Sequence, residues 1–381
     1  GEIEPPNRRL TTAQKAFRVV DIDEGGDATH LTLFEMLGNF SIGDYFKDGA
    51  VEFALECFDS VMGLSKERFA ATIHHTDEEA SALWERVGIP QERIFEFGDN
   101  DNWWGPAGDE GPCGPCSELH YDFGAYRGCG RPDCGPNCEN ETESGGGCNR
   151  YVELWNLVFM QFYQHLDGTR TPLPVPSVDT GMGLERLAVV LQGVETIYET
   201  DLFRPIIARI EGVSGLKYDD GPETTYAMRV VAEHGRSAAF LLADGVVAGN
   251  EGRGYVLRRI IRRAILHGRR LGLQDAFLGK IASIVIEKMG DVYPELFNHE
   301  EFITTALRLE EEKFQRAYEN GSAVLTDAMK SGGTLPGGIV FKLWDTYGFP
   351  VEMTREIAKE RGIEIDLKAF EEEMEEQRQR A

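Results

Sequence analysis

The spacing of apolar and polar residues changes character along the chain. Residues 10–60 predict two strands with a polar connection, followed by a helix. Segment 151–162, "YVELWNLVFMQF", predicts a buried strand because aromatic and β-branched residues fill it. Segment 183–194 predicts a helix. Beyond residue 200 helical periodicity dominates, as in "GYVLRRIIRRAILHGRRLG" and "FITTALRLEEEKFQRAYENG". We therefore expect an α+β part that is followed by an all-helical part.

The change of pattern also predicts two domains in the 381 residues. We place an α+β domain at 1–200 and a helical domain at 201–381, with the boundary within 195–222. Segment 128–149, "GCGRPDCGPNCENETESGGGCN", is rich in glycine, cysteine and acidic residues, and predicts an inserted loop in the first domain. Segment 352–378 is acidic with helical spacing, which predicts a solvated helical face.

Composition narrows the classes of protein. The hydrophobic content of 41% is enough for sizeable cores, and the net charge is −26. A protein that binds nucleic acid through its overall charge is basic, so any such contact here needs a local basic patch. The sequence contains no apolar run of about 18 residues, the length that a membrane-spanning helix needs. The first residues lack the apolar centre of a signal peptide, and we expect a cytoplasmic protein without a membrane partner.

One candidate site lies in "VPSVDTGMGLERLAVVL", residues 175–191, at a predicted strand-to-helix junction. The glycines would let a backbone or ligand approach closely. A dinucleotide fingerprint fails, because Gly181-x-Gly183 is followed by Arg186 where a third glycine is needed. Asp179 could pair with an amine, and Arg186 could stack on a flat ring or bind phosphate. The alternative is an ordinary turn with a surface salt bridge.

A second candidate lies in "AFRVVDIDEGGDATHLTLFEMLGNF". Side chains alternate along a strand, so residues 30, 32 and 34 would share one face, and His30 and Phe34 would flank one site. Arg18 on the antiparallel neighbour would add a third group facing a ligand. The alternative for this stretch is a hairpin with a half-buried phenylalanine.

Together these stretches resemble the class II aminoacyl-tRNA synthetases. Phe17-Arg18 with His30-x-x-x-Phe34 is similar to their motif 2, and Gly181–Arg186 is similar to their motif 3. The longer segments "FEMLGNFSIGDYF", "GPCGPCSELHYD", "LWNLVFMQF", "SVDTGMGLER" and "NEGRGYVLRRIIRRA" resemble the alanyl-tRNA synthetase family over nearly the whole chain. The resemblance implies an antiparallel class II sheet with flanking helices for catalysis at 1–200, and a helical domain that recognises the tRNA acceptor stem at 201–381.

The resemblance implies a ligase that activates L-alanine with ATP and transfers alanyl to the 3′ end of tRNA(Ala). Arg18 would hold the α-phosphate of ATP, and His30 would approach the terminal phosphates. Phe34 and Arg186 would lie on the two faces of the adenine, with Mg²⁺ on the polyphosphate. Arg18 and Arg186 would be the catalytic residues. The alternative is a non-catalytic tRNA-binding paralogue.

The resemblance also implies an alanine pocket. Asp179 would bind the α-ammonium, while Trp104, Asn156 and Gly181 would shape the small space for the methyl group. Rejecting glycine is difficult, because one methyl group is worth only about 1–3 kcal/mol. The family has a separate editing domain with metal-binding histidines, and the chain has no His-x-x-x-His pair. We therefore expect that domain, and the family's motif 1 before the first strand, to be missing from this chain.

A basic helix is predicted at 253–270, and it contains seven arginines: Arg253, Arg258, Arg259, Arg262, Arg263, Arg269 and Arg270. Arg258 and Arg262 are four residues apart and would share a helix face. They could contact RNA phosphates, or form a solvated face paired with nearby acids. The resemblance implies that Asn250 and Asp345 read a G·U pair in the acceptor stem. From the residues alone, a helix or turn cap is favoured for Asn250 and a helix N-cap for Asp345.

Six of the seven cysteines lie between Cys113 and Cys148, which is typical of metal binding rather than of a disulfide framework. The candidate structural zinc ligands lie in the inserted loop: Cys129, Cys134, Cys138 and Cys148. The alternative is four reduced cysteines in a flexible insertion. Cys113 and Cys116 belong to another motif and are not expected to bind zinc.

Overall fold

The computed structural model describes residues 5–138, 140, 148–330 and 332–380. The chain forms two compact units. The first contains Gly1–Phe17 and Leu33–Thr200, and the second contains Arg18–Thr32 and Asp201–Ala381. Segment Arg18–Thr32, which the sequence analysis assigned to the first domain, therefore groups with the helical unit. The division of catalysis and tRNA recognition between 1–200 and 201–381 stays a prediction. Residues 139 and 141–147 of the predicted inserted loop 128–149 lie outside the described residues.

The first unit is built on a sheet whose strands follow the order β1-β2-β8-β7-β6-β3-β4, with β5 paired to β6. All neighbours are antiparallel except β3 and β4, and the buried strand predicted over 151–162 is confirmed as β7. This is the expected class II arrangement. The strands are β1 (Arg9–Phe17), β2 (Leu33–Ile42), β3 (Phe69–His74), β4 (Ile94–Phe97), β5 (Trp103–Trp104), β6 (Gly111–Asp122), β7 (Tyr151–Gln164) and β8 (Arg170–Gly183).

One face of this sheet packs against helices. Phe58, in the turn after the first helix, stacks on Phe69 of β3 with ring centroids 4.8 Å apart and meets Trp155 of β7 edge-on at 5.5 Å. The indole nitrogen of Trp84 donates to the Ser117 hydroxyl of β6 at 2.7 Å. The helices of this unit are α1 (Lys47–Glu56), α2 (Glu78–Val87), α3 (Asp99–Asn102) and α4 (Leu184–Gln192).

The second unit is helical beyond residue 201, as predicted. Its most buried helix is α6, whose small residues permit close packing: a Cβ on Gly235 would meet Ile281 of α8 at 2.8 Å. Over the part of the chain that is described, no helix combines the length and apolar character needed to cross a membrane. The helices are α5 (Arg204–Ser214), α6 (Pro222–Ala243), α7 (Gly252–Arg270), α8 (Leu278–Met289), α9 (Pro294–Asn298), α10 (Glu300–Met329), α11 (Gly337–Asp345), α12 (Val351–Glu360) and α13 (Leu367–Arg380).

Segment Arg18–Thr32 is bound to α6 and α7 by buried charged groups. Arg263 donates to the carbonyl oxygens of Ile22 and Gly25, both at 3.0 Å. The Glu233 carboxylate accepts from the backbone N–H of Thr32 at 2.7 Å. These bonds satisfy the polar backbone of an irregular segment that has no strand partners of its own.

Glu356 of α12 completes this network. It accepts from Nε of Arg263 at 3.1 Å and meets Nε2 of His267 at 2.8 Å. Burial alone would raise the pKa of Glu356, but the His267 hydrogen bond and the Arg263 charge hold that pKa well below its usual range. Burial lowers the pKa of His267 to about 4. The prediction of a solvated acidic face over 352–378 is therefore wrong at this position, where the carboxylate is an internal counter-ion.

We predict that Glu356→Gln destabilises the protein by about 3 kcal/mol at pH 7, because it leaves the buried Arg263 without its counter-charge. The folded-state pKa is lowered, so this contribution is present above the unfolded value of about 4.3 and is lost as pH falls through the folded value. Urea unfolding midpoints at pH 7 and pH 3 measure both effects. The matched control is Glu312→Gln, in an exposed pair with Arg308 worth less than about 1 kcal/mol. Equal losses for the two variants at pH 7 would contradict the prediction.

Candidate active site

The face of the sheet opposite α1 and α2 carries a cluster of polar residues. Residues that oppose each other in adjacent strands share a face of the sheet. Asn156 of β7 opposes Gly181 of β8 on one side and Glu118 of β6 on the other, and Val158 opposes Asp179. Met36 of β2 opposes Gly183. These strands therefore present Asp179, Asn156 and Glu118 on one surface, which we call the site face.

The glycines of β8 keep this surface open. A Cβ on Gly181 would approach the sulfur of Met36 to 3.0 Å, so any side chain there would crowd the site face. Helix α4 begins directly after Gly183, as the sequence predicts. Its buried Glu185 accepts from the backbone N–H of Glu35 in β2, with oxygens at 3.1 and 3.3 Å. This bond fixes the first turn of α4 against the sheet.

Arg186 in that first turn is bound to the site face. Its guanidinium donates to a carboxylate oxygen of Glu153 at 3.0 Å and to the Glu153 carbonyl at 3.2 Å. Glu153 opposes His120 of β6. Phe34 lies in β2 two residues before Met36 and so points to the same side. Phe34, Asp179 and Arg186 are thus held by adjoining elements of one unit, and the Arg186 side chain is one quarter exposed.

The Asp179 carboxyl group is partly desolvated and lacks a positively charged neighbour among the described residues. Burial raises the pKa of its carboxyl, and no other cause contributes. Among the described residues its carboxylate has no hydrogen-bond or ion-pair partner. A desolvated carboxylate without a counter-charge is unfavourable unless a ligand supplies one. Asp179 is therefore suited to bind a cation such as an amino-acid ammonium.

Trp104 and Asn156 extend the site face toward β6. Trp104 opposes Gly114, and its side chain is partly exposed. The amide nitrogen of Asn156 donates to Glu118 at 3.2 Å. Burial raises the pKa of Glu118, which also binds His120. Sequence reasoning missed Glu118 and Glu153. The alternation Glu118-x-His120 within "CSELHYD" was the available signal, but it is common in ordinary half-buried strands.

Arg18 and His30 belong to segment Arg18–Thr32 of the second unit. The backbone N–H of Arg18 donates to the Thr32 carbonyl at 2.8 Å, just beyond the last paired residues of β1 and β2. The expectation that residues 30, 32 and 34 share a strand face is wrong, because β2 begins only at Leu33. The Asp27 carboxylate accepts from the backbone of Thr29 and His30 and meets Nδ1 of His30 at 2.5 Å. This local turn competes with strand pairing.

A second candidate site is a groove of about 670 Å³ in the helical unit. It brings together the four residues that sequence analysis assigned to tRNA binding, Asn250, Arg258, Arg262 and Asp345, with Lys313, Trp344 and Gln377 on its wall. Asn250 accepts from Arg258, and Asp345 accepts from Gln377 at 2.9 Å. The cap interpretations do not describe these residues: Glu251 is the N-cap of α7, and Asp345 is the last residue of α11.

Two arginines of α7, Arg262 and Arg263, are buried inside the protein. Arg262 is 5% exposed, donates to Glu310 at 2.9 and 3.1 Å, and bonds the Gly348 carbonyl. Arg258 shares Glu310 at 3.1 Å but borders the groove at one end. Direct phosphate contact by Arg262 is therefore not supported by its burial, and its position indicates that it supports the groove wall. Arg258 remains a candidate for RNA contact.

The four cysteines of the inserted loop form a compact cluster. Their sulfur atoms all lie within 4.8 Å of one another, with Cys129 and Cys138 at 3.6 Å and Cys134 and Cys148 at 3.5 Å. Zinc–sulfur bonds of about 2.3 Å in a tetrahedron place the sulfurs about 3.8 Å apart. None of the four is in a disulfide. The donor set and spacing fit a structural zinc ion, while Cys113 and Cys116 are buried in β6 and lie outside the cluster.

Comparison with known proteins finds relatives that align with the whole of this chain. The chain is 50% identical over 383 residues to an alanine–tRNA ligase of Dehalococcoides mccartyi, covering 100% of this chain and 43% of that protein. It is 46% identical to the alanine–tRNA ligase of Carboxydothermus hydrogenoformans, of which it covers 43%, and 46% identical to that of Thermotoga maritima, of which it covers 44%. In both cases all of this chain is aligned. The chain thus spans less than half the length of these relatives.

The model of the class II (A) tRNA synthetases matches residues 1–381, the whole of the sequence. The match extends through both units and includes the strand-to-helix junction that carries Asp179, Gly181 and Arg186. The resemblance drawn from motifs 2 and 3 is confirmed by it. This chain belongs to the class II (A) tRNA synthetases.

Proposed function

We propose that this chain is the alanine-activating and acceptor-stem-binding part of an alanine–tRNA ligase. The observation that carries the proposal is the half-buried carboxylate of Asp179 beside Gly181, which has no partner among the described residues and lies on the same face as Phe34, next to the Arg186 turn. Such a carboxylate suits a small amino acid, and the adjacent ring and guanidinium suit a purine. The names of the relatives support alanine as that amino acid.

In this proposal ATP binds with its adenine against Phe34 and Arg186. Arg18 and His30 would bind the phosphates. Mg²⁺ would be held mainly by phosphate oxygens and would supply neutralising charge. An alanine carboxylate oxygen attacks the α-phosphorus, a C–O–P bond forms and pyrophosphate leaves. The attacking group is already ionised at pH 7, so the residues contribute position and charge stabilisation and no general base is needed.

Alanine would be oriented by Asp179 through its α-ammonium. The carboxylate regains a counter-charge on binding, which offsets part of its desolvation. Asn156 and Trp104 would flank the amino acid, and the missing side chain of Gly181 leaves room for it. Larger amino acids would be excluded by the limited space, whereas glycine would be rejected only weakly.

The groove of the helical unit would bind the tRNA acceptor stem. An amide offers both a donor and an acceptor, and a carboxylate accepts from the exocyclic amino group of guanine, which projects into the shallow groove of RNA. Asn250 and Asp345 line the same groove and so could read one base pair together. Arg258 at the groove border would add attraction for phosphate.

We also propose a structural zinc ion bound by Cys129, Cys134, Cys138 and Cys148. Four thiolates close the coordination shell, which leaves no open position for catalysis. Nδ2 of Asn140 donates to Cys138 at 3.3 Å and would orient that ligand from outside the shell. The ion would fix the glycine-rich insertion, which has little apolar content with which to fold.

We predict that Asp179→Asn lowers kcat/KM for alanine about 10- to 100-fold, the effect of losing a charge-assisted hydrogen bond, with KM for ATP nearly unchanged. Burial raises the Asp179 pKa, so alanine activation falls as the carboxyl is protonated on the acid side, and this limb should vanish in the variant. Alanine-dependent pyrophosphate exchange into ATP, measured against pH in the intact protein, tests this. The control is Asp59→Asn, whose partly exposed side chain pairs with Lys66. A wild-type protein that binds tRNA without exchange would favour a non-catalytic paralogue.

We predict that Asn250→Ala and Asp345→Ala each lower kcat/KM for alanylation of tRNA(Ala) about 10- to 100-fold, because each removes a contact to a base edge. Pyrophosphate exchange, which needs no tRNA, should stay within about twofold of wild type. A tRNA whose G·U pair is replaced by G·C should be rejected by the wild type and discriminated less by both variants. Asn320→Ala, an exposed position on α10, serves as control. Unchanged discrimination in both variants would remove these residues from recognition.

We predict that the protein binds one zinc ion per chain and that Cys134→Ser abolishes stoichiometric zinc. A chelator should lower the melting temperature of the wild type, because the ion contributes folding free energy only while bound. Metal content by plasma emission and melting curves with and without chelator are the measurements. The control is Cys57→Ser, outside the cluster, which should keep its zinc. Protein that contains no zinc after growth and purification in zinc-supplemented medium would refute the site.

A further inference from the structure

Glu118 is the point where polar side chains from three strands converge on the site face. Nδ2 of Asn156 in β7 donates to its Oε1 at 3.2 Å, and Oγ1 of Thr72 in β3 donates to its Oε2 at 3.2 Å. Nε2 of His120 meets Oε2 at 3.1 Å. The Glu118 side chain is only 12% exposed. No step of the proposed reaction uses this carboxylate.

The network continues to the segment that carries Trp104. Nδ2 of Asn102 donates to Oγ1 of Thr72 at 2.9 Å, and Asn102 is fully buried two residues before Trp104. Glu118 therefore connects, through hydrogen bonds, two segments that supply candidate pocket residues. A buried network of hydrogen bonds restricts side-chain orientation, here with Oδ1 of Asn102 and Nδ1 of His120 left without a partner among the described residues.

The chemistry of a carboxyl group dictates how Asn156 is oriented. An ionised carboxylate only accepts hydrogen bonds, so the NH₂ end of Asn156 faces Glu118 and donates to its Oε1. The opposite orientation would bring two acceptor oxygens together. The Oδ1 atom of Asn156 is then directed away from Glu118. It is buried, and among the described residues it has no hydrogen-bond donor. A buried acceptor without a donor is costly, and an N–H group of a ligand would satisfy it.

We infer that Glu118 is a positioning residue of the amino-acid pocket, which holds Asn156 so that Oδ1 accepts a hydrogen from the α-ammonium bound at Asp179. The inference rests on the proposed function. Asn156 opposes Gly181, two residues from Asp179, and such diagonal neighbours in a sheet lie about 7–8 Å apart, a span that one ammonium group can bridge from side chains of this length. Glu118 itself touches no substrate in this arrangement.

The test uses four variants of the intact protein: Glu118→Gln, Glu118→Ala, Asn156→Ala and the double alanine variant. Glutamine keeps an oxygen toward Asn156, so Glu118→Gln should keep KM for alanine within about twofold of wild type. Glu118→Ala should raise KM for alanine about tenfold and leave KM for ATP unchanged, the effect of one hydrogen bond. Asn156→Ala should do the same, and the double variant should be no worse than Asn156→Ala alone.

A glutamate on the same face provides a matched contrast. Glu153 binds Arg186, so Glu153→Ala should raise KM for ATP and leave KM for alanine nearly unchanged, the reverse of Glu118→Ala. If Glu118→Ala raises both KM values equally, or if its effect multiplies with that of Asn156→Ala, the residue is structural and the inference is overturned. If Glu118→Ala does not fold, Glu118→Asp replaces it. Its shorter side chain retains the charge but withdraws from Asn156, and should again raise only KM for alanine.

Failure of the proposed function is separable from failure of this inference. Wild-type pyrophosphate exchange is measured in parallel with alanine, glycine and serine. If the wild type activates glycine or serine but not alanine, the variants are compared with the amino acid that is activated. If none is activated, the proposed function fails, and the side-chain amide protons of Asn156 decide the inference by NMR. Slowed hydrogen exchange in the wild type and Glu118→Gln, lost in Glu118→Ala, supports the positioning. Identical exchange in all three overturns it.

Discussion

The pairing register of β7 with β8 is the constraint on which the site depends. Side chains alternate between the faces of a sheet, so a shift of one residue would exchange the two faces completely. In the observed register Trp155 opposes Met182 on the packed face, while Asn156 opposes Gly181 on the site face. Burial of Trp155 and Met182, both less than 10% exposed, favours this register over its neighbours. Burial of the apolar side chains on one face of β7 and β8 thereby determines which side chains lie on the site face. Helix α4 begins directly after β8 ends at Gly183.

Much of the architecture was predictable because it is encoded locally. The strand at 151–162 and the helix at 183–194 follow from apolar spacing, and the Asp179–Arg186 junction is contiguous in sequence. The spacing of apolar residues does not indicate what reaction this junction serves. That expectation comes from the resemblance to the class II synthetases. The position of His30 was not predictable in this way, because the Asp27 side chain forms a turn that delays the start of β2 to Leu33.

Partners distant in sequence account for the other differences. Arg262 and Arg263 look like exposed members of a basic helix, but their carboxylate partners lie 48 and 93 residues away, in Glu310 and Glu356. Glu118 and Asn156 are separated by 38 residues and meet only because β6 and β7 are adjacent. Helical or strand periodicity contains no information about such pairs. The internal charges of the second unit also show that much of the arginine content of α7 stabilises the fold, since unpaired buried guanidinium groups would be strongly unfavourable.

The grouping of Arg18–Thr32 with the helical unit affects how this chain can be divided. A fragment ended at residue 200, at the apparent change from sheet to helix, would retain that segment but lose Arg263 and Glu233, to which its backbone is bonded. The Gly25 carbonyl and the Thr32 amide would then have only water as a partner, the Ile22 carbonyl would keep only its local bond from the Gly25 amide, and the segment bearing Arg18 and His30 would lose much of what holds its path. An isolated sheet fragment therefore contains every strand of the sheet but lacks the partners that hold Arg18–Thr32.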